Sequence, residues 1–439
     1  MKKHSSLSLK FFSFLCMILF MSPVFAQKWE LVKDYKSTYA FHITKNGTLL
    51  LSDYLFDYTG GIYFSKDDGS TWTKADITDY NYNSFLEAGD YIFASGTGGH
   101  IARSNDGGET WEMLRYTQPL EEFMTEDEIE YTLAYAMAYH NNRLFVGDFN
   151  GGGIVYSEDF GETWKYTDRK SLMLQSEDKG GSATEYIDSF YNLVSYKGDL
   201  YAFSVLMVYR YDEANDKWIA VRNDSNFMAV STIFNGTMYN GRSVPNDSEE
   251  SPFLERTTDG QNWEVVKRPK GMIDNNVRTL GCDDKNIYAG LQSKGIYFTS
   301  DEGESWTKIS DGLPYANEQD TTNYLAPLKI ITTDKYVYTI IYDFPFSEKN
   351  TSGLYRLEKA SLPATSIETA QADKVSVHAD NEYLCVGDNA TVSIFDICGK
   401  KIDAKVVNGK VSIEGLANGI YLYKVVAENG QATGKFIKK

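Results

Sequence analysis

Ser104-Asn105-Asp106-Gly107-Gly108-Glu109-Thr110-Trp111 reads as a tight turn followed by the start of a strand. The pattern returns as Ser65-Lys66-Asp67-Asp68-Gly69-Ser70-Thr71-Trp72, as Ser157–Trp164 around Asp159, and as Thr299–Trp306 around Asp301. A copy one residue shorter runs Thr257–Trp263 around Asp259, and a degenerate one, Tyr211–Trp218, keeps only the spacing. An Asp carboxylate and a Ser or Thr hydroxyl accept backbone N–H groups inside such a turn, and Gly adopts the backbone angle that other residues resist. The Trp then buries a large ring against whatever sheet lies beside it. These aspartates and tryptophans therefore read as scaffold.

Counting tryptophans extends the argument. The chain holds seven, six of them in these turns at intervals of 39 to 54 residues, and the seventh is Trp29. Lys28-Trp29-Glu30-Leu31-Val32-Lys33 resembles the strand after each turn, whereas Gly353-Leu354-Tyr355-Arg356-Leu357 resembles the strand before one and has no turn behind it. Between turns, Tyr39–Thr44 and Thr48–Ser52 flank Lys45-Asn46-Gly47 as a hairpin, and comparable pairs fall at 83–95, 134–147, 192–204, 228–240, 277–290 and 327–342. Four short strands fit each interval. The S/T-x-D-x-G-x-T/S-W pattern resembles the Asp-box, or BNR, repeat of the sialidase and sortilin superfamily. The resemblance implies an all-β fold, a seven-bladed β-propeller over residues 27–361, whose N-terminal strand completes the last blade.

Lys2, Lys3 and Lys10 precede an apolar run, Phe11–Phe25, that ends in Val24-Phe25-Ala26, so residues 1–26 read as a signal peptide. Losing those three lysines takes the formal charge from −18 to −21. Residues beyond Ala360 balance nine acids against nine bases, so the excess negative charge lies on the propeller. Such a surface is a poor partner for nucleic acid. The three cysteines that remain of four once the signal peptide is removed, and the five scattered histidines of the whole chain, suggest neither a disulfide framework nor a metal site. No cofactor, no transmembrane segment in the mature chain and a monomeric state are expected.

Function has to be read from the long loops. In a propeller the Asp turns share one face, and the inter-blade connections share the other. Acids and aromatics concentrate in the latter: Asp53–Tyr58 with Tyr54 and Tyr58, Asp79–Tyr82 with Tyr80 and Tyr82, Glu121–Tyr131, Glu185–Asp188 with Tyr186, Asn246–Glu250, and Asp343–Phe346 with Phe344. Aromatic faces stack on sugars or apolar surfaces, and Asp343 and its neighbours accept hydroxyls or amines. The expectation is non-catalytic recognition of a glycan or protein ligand. The alternative is a glycoside hydrolase using acids on that face. A sialidase would need three arginines on a carboxylate, and the family's Arg-Ile-Pro motif is missing; Arg103, Arg210, Arg256 and Arg356 sit just before turns and read as scaffold.

Beyond Leu362 the grammar changes. Residues 362–372 read as a linker, and 373–439 as a small antiparallel β-sandwich with strands at 374–378, 382–386, 391–397, 400–407, 410–413, 420–427 and 433–438. Thr391–Lys400, then Leu416–Val425 with Gly419 and Tyr421, then Gly434-Lys435-Phe436-Ile437-Lys438-Lys439 resemble the type A sorting domain of the Bacteroidetes type IX secretion system. That resemblance implies the secretion machinery as a partner, and release or attachment at the cell surface. Deleting Gly434–Lys439 is expected to leave a folded propeller in the periplasm with its signal peptide removed; cell fractionation checks this, and normal surface display would refute it.

Overall fold

The chain builds one antiparallel sheet at each pass from the axis outward, then steps to the next. The computed structural model describes residues 28–363 and 377–438, apart from 36–37, 54–59, 123, 178–182, 224–226, 243–252, 267, 269–275, 318, 343–350, 380–381, 387–389, 397–399, 403 and 428–429. It divides into two units, Met1–Pro363 and Ala364–Lys439. Among the described residues the first unit holds seven four-stranded sheets. The first of these comprises Thr38–Ile43, Leu49–Asp53, Ile62–Ser65 and Thr73–Lys74, in that order.

The innermost strands are Thr38–Ile43, Tyr82–Ala88, Ala134–His140, Phe190–Tyr196, Phe227–Phe234, Val277–Cys282 and Pro327–Thr332. Each touches the next, and the last touches the first, so the sheets form a closed β-propeller ring. Second strands such as Tyr91–Gly96 and Arg143–Asp148 are buried along almost their whole length. Packed between two neighbouring sheets, they carry apolar residues on both faces instead of alternating.

The ring closes through both ends of the propeller. Glu30–Asp34 pairs antiparallel with Gly353–Glu358, Glu30 facing Arg356 and Asp34 facing Gly353. Trp29 is 2% exposed. Its backbone N–H donates to Asp311 O at 2.8 Å, and its indole N–H donates to Ile309 O, both at the outer end of the sixth sheet.

Seven apolar clusters separate the seven sheets, and each contains one tryptophan. Trp111, Trp164, Trp218, Trp263, Trp306, Trp29 and Trp72 pack, in that order, into the interfaces from sheets one and two round to sheets seven and one. Four indoles donate to the glycine carbonyl of their own turn, Gly69, Gly108, Gly161 and Gly303. Trp218, whose turn has lost its glycine, donates to Thr167 Oγ1 of the preceding sheet at 2.9 Å instead.

The turns have the geometry their residues demand. Ser65 Oγ accepts from Gly69 N at 2.9 Å, Asp67 Oδ1 from Thr71 N at 2.8 Å, and Asp67 Oδ2 from the Thr71 hydroxyl at 2.7 Å. The same set recurs around Asp106, Asp159 and Asp301, and Asp259 takes the equivalent bonds from Gln261 and Asn262. Gly108 has φ +96°, and a Cβ there would meet Leu50 Cδ2 of the preceding sheet at 2.5 Å. Only glycine satisfies both the angle and the gap.

Arginines clamp these turns from the sheet before. Arg103, Arg256 and Arg356 donate to the backbone oxygens of Phe160, Glu302 and Asp68, each just ahead of a turn glycine, at 3.0, 3.3 and 3.0 Å. Arg210 instead pairs with Asp199 of its own sheet.

The second unit contains two four-stranded sheets over one core. One pairs His378–Ala379, Tyr383–Cys385, Lys410–Ser412 and Val406–Val407; the other pairs Lys401–Ile402, Thr391–Asp396, Gly419–Ala427 and Gly430–Lys438. The strand expected over 400–407 is therefore two, because the chain leaves Ile394–Phe395 in one sheet to pair with Lys410–Val411 in the other.

Truncating Trp29 to Ala should destabilise the propeller by about 3–5 kcal/mol, read by denaturant unfolding. The hydroxyl and backbone donors of Thr71 hold the Asp67 carboxyl down at about 2. Its stabilising contribution is thus complete above the unfolded pKa of about 4 and is lost as pH falls through about 2. The melting temperature of Asp67→Asn should lie below wild type at neutral pH, and the gap should shrink towards pH 2.

Candidate functional site

Hydrogen bonds sort the loops onto two faces. Hairpin turns between first and second strands lie with the Asp turns: Tyr196 Oη donates to Gly236 O at 2.8 Å and Thr257 O at 3.0 Å. A polar hollow of about 370 Å³ on that side lies between Asn46–Thr48 and Asn105–Gly107, with Lys66 at its edge. Lys66 is tied to Glu109, and neither carboxylate clusters nor aromatic rings line the hollow.

The opposite face is built by loops between second and third strands and by the steps from sheet to sheet. Gly98 N donates to Thr132 O, Phe149 N to Leu133 O, and Gln292 N to Asn276 O, each joining one kind of loop to the other. Asp148 anchors this seam, accepting from Leu133 N, Asn150 N, Gly152 N and the Tyr116 hydroxyl at 2.7 to 3.0 Å. Burial raises its carboxyl nonetheless, against those four donors. With its oxygens so occupied, Asp148 is a structural acid.

Among the described residues three steps carry insertions. Between the second and third sheets lie Gln118–Glu122 and a short helix, Glu126–Glu130, capped by Thr125 and Glu128 bonding reciprocally. Between the third and fourth, Met173–Glu177 pairs with Ala183–Ile187; between the sixth and seventh, Tyr315–Asn317 pairs with Asp320–Tyr324. The stretches read as loops at Glu121–Tyr131 and Glu185–Asp188 thus have regular structure.

The candidate residues separate on this face. Tyr186 is exposed on the Met173–Ile187 hairpin. Tyr80 is half-buried and its ring lies 4.8 Å from that of His100. Tyr82 is 0% exposed and belongs to the core between the first two sheets, its hydroxyl donating to Thr78 O, which corrects its reading as a contact residue. It precedes an extra residue in its strand, so its side chain turns inward. Tyr54, Tyr58, Asp343 and Phe344 lie outside the described residues.

Other residues emerge only with the coordinates. Tyr135, Phe149 and Tyr191 form one cluster of half-buried rings with centroids 5.0 to 6.0 Å apart. Tyr135 sits inside an apolar strand and reads as core from sequence alone. Arginines and a carboxylate converge at Glu255, which meets Arg222 Nη1 at 2.9 Å and Arg242 Nη1 at 3.1 Å. There the carboxylate is the protein's own. Among the described residues no group of histidines, cysteines or acids is arranged to hold a metal ion, and no helix is long and apolar enough to cross a membrane.

In the second unit, Tyr421 is buried against Phe436, its hydroxyl donating to Ala417 O at 2.9 Å. Gly419 pairs with Lys438 at the end of the terminal hairpin, and Lys435 is exposed on it.

No curated protein matches the chain in sequence. YCF48 from Cyanidioschyzon merolae is similar in fold, at 16% identity and a TM-score of 0.50, over 75% of this chain and 98% of that one. The extracellular domain of a putative hybrid two component system from B. thetaiotaomicron is similar at 12% identity and a TM-score of 0.53, over 93% of this chain and 54% of that one. Residues 371–439 match the secretion system C-terminal sorting domain family. The chain is accordingly a β-propeller carrying a type IX sorting domain, exported for release or attachment at the outer-membrane surface.

Proposed function

We propose that the propeller is a non-catalytic recognition module, binding a glycan or protein ligand outside the cell through the face opposite the Asp turns. One observation carries this reading. The three tyrosines that are at least 36% exposed among the described residues, Tyr131, Tyr186 and Tyr315, all belong to the insertions on that face. Exposed rings cost solubility, and three of them on one side of an acidic, exported protein favour a stacking surface for sugars or apolar groups. Tyr80 extends the same surface, and the loops holding Tyr54, Tyr58, Asp343 and Phe344 join it in this proposal.

The hydrolase alternative has less support. A carboxylate clamp of the sialidase kind needs arginines open to substrate, whereas Arg222 and Arg242 face Glu255.

The test is a glycan array probed with the secreted chain, beside a panel of sialoside and polysaccharide substrates. Binding should fall about tenfold or more in Tyr131→Ser/Tyr186→Ser/Tyr315→Ser, at unchanged melting temperature. Turnover of any substrate that disappears on replacing acids of this face would overturn the proposal, as would binding untouched by the three substitutions.

A further inference from the structure

Every innermost strand has a register irregularity near its start, on the side of the recognition face. In six of the seven sheets it inserts a single extra residue, which in five of them is Asn83, Tyr135, Tyr191, Arg278 and Leu328. A bulge leaves its extra residue out of the ladder and re-aims the side chain. Asn83 is buried and Leu328 packs into the core between the seventh and first sheets, which leaves Tyr135, Tyr191 and Arg278 half-buried at the strand starts that ring the axis.

The mouth of the channel on that axis is asymmetric. The third and fourth sheets contribute Tyr135 and Tyr191, joined by Phe149 from the adjoining loop; the Tyr191 and Phe149 rings meet edge to face at 5.0 Å. The sixth and seventh sheets contribute Arg278 and, one residue past its own bulge, Lys329. Their strands lie side by side, Ile330 N donating to Thr279 Oγ1 at 3.1 Å. Three sheets apart in a ring of seven, the aromatic and cationic sectors face each other across the channel.

The two cations are unspent among the described residues. Neither Arg278 nor Lys329 makes an ion pair or a side-chain hydrogen bond with any described residue, in a chain of net charge −18. Lys329 is exposed to water in an otherwise buried or half-buried strand. Desolvation lowers its ammonium group, and among the described residues no carboxylate offsets this. The corresponding positions one residue past the extra residue in the second, third, fourth and sixth sheets are Ser84, Ala136, Asn192 and Thr279. A lysine there serves no packing need that those residues reveal.

We infer that the channel mouth binds an acidic saccharide of the uronate class, a sugar ring stacking on Tyr135, Phe149 and Tyr191 while a carboxylate meets Arg278 and Lys329. The inference rests on the reading of this face as the recognition face and names its ligand class. Rings supply stacking area for a pyranose, and a guanidinium beside an ammonium supplies charge-assisted hydrogen bonds to a carboxylate. The surrounding negative field repels polyanions at long range, so affinity depends on this local pair rather than on general attraction.

Calorimetry on the full secreted chain tests it with a tetrasaccharide of α-1,4-linked galacturonic acid and with its fully methyl-esterified, uncharged form. The acid form should bind at least about tenfold more tightly than the ester. Arg278→Gln/Lys329→Gln should remove that preference, while Tyr135→Ser/Tyr191→Ser should weaken both forms, with melting temperatures confirming folding. Equal binding of acid and ester, a preference surviving the charge substitutions, or tighter binding of an acidic peptide would overturn the ligand class and leave the recognition face standing. Absence of binding by both saccharides overturns it too; only a blank glycan array besides would remove the recognition reading.

Discussion

The propeller depends on one closure. Its seventh sheet has only three strands from the end of the unit, and the fourth, Glu30–Asp34, comes from the start. Without that pairing Gly353–Glu358 would be an open edge, ready to pair with another chain. The closure is reinforced at three depths: backbone pairing at Glu30–Arg356, the buried Trp29 ring against the sixth sheet, and Arg356 reaching across to Asp68 O of the first. The last contact is the same clamp used between the second and third and the fifth and sixth sheets, so the seam is joined as an ordinary interface is.

This arrangement divides labour between the faces. The Asp turns, the glycine gaps and the arginine clamps all lie on one side and consume their polar groups internally. Aspartates there are held ionised by hydroxyl and amide donors, which makes them poor acids or bases for chemistry. The other side is left to the steps between sheets, which hold no repeated motif and have accepted a helix and two hairpins. Variation on that side costs the ring little, and the exposed tyrosines of the described residues collect there.

The legibility of the sequence followed the same division. The ring count and the strand swap at Trp29 were readable because tryptophan is rare and its burial sets a fixed place in each sheet. The scaffold role of Arg103, Arg256 and Arg356 was readable from position alone. Tyr82 was misread because an aromatic beside a loop looks exposed unless the register of the following strand is known. Tyr135, Tyr191 and Arg278 were invisible for the same reason: an extra residue in a strand alters where a side chain aims without altering the pattern of apolar residues around it. Lys329 stands in an apolar strand, where its charge had no stated partner to suggest a role. In the sorting domain, the split of 400–407 escaped because a strand that changes sheets keeps its alternation.

Amide hydrogen exchange on the full chain, with and without a bound glycan, tests most directly whether recognition falls on the face opposite the Asp turns. Added protection is expected in the steps and second-to-third-strand loops, around residues 131–135, 149–151 and 186–191, with the Asp turns at 65–72, 104–111 and 157–164 unchanged. Protection confined to those turns would contradict recognition on the opposite face.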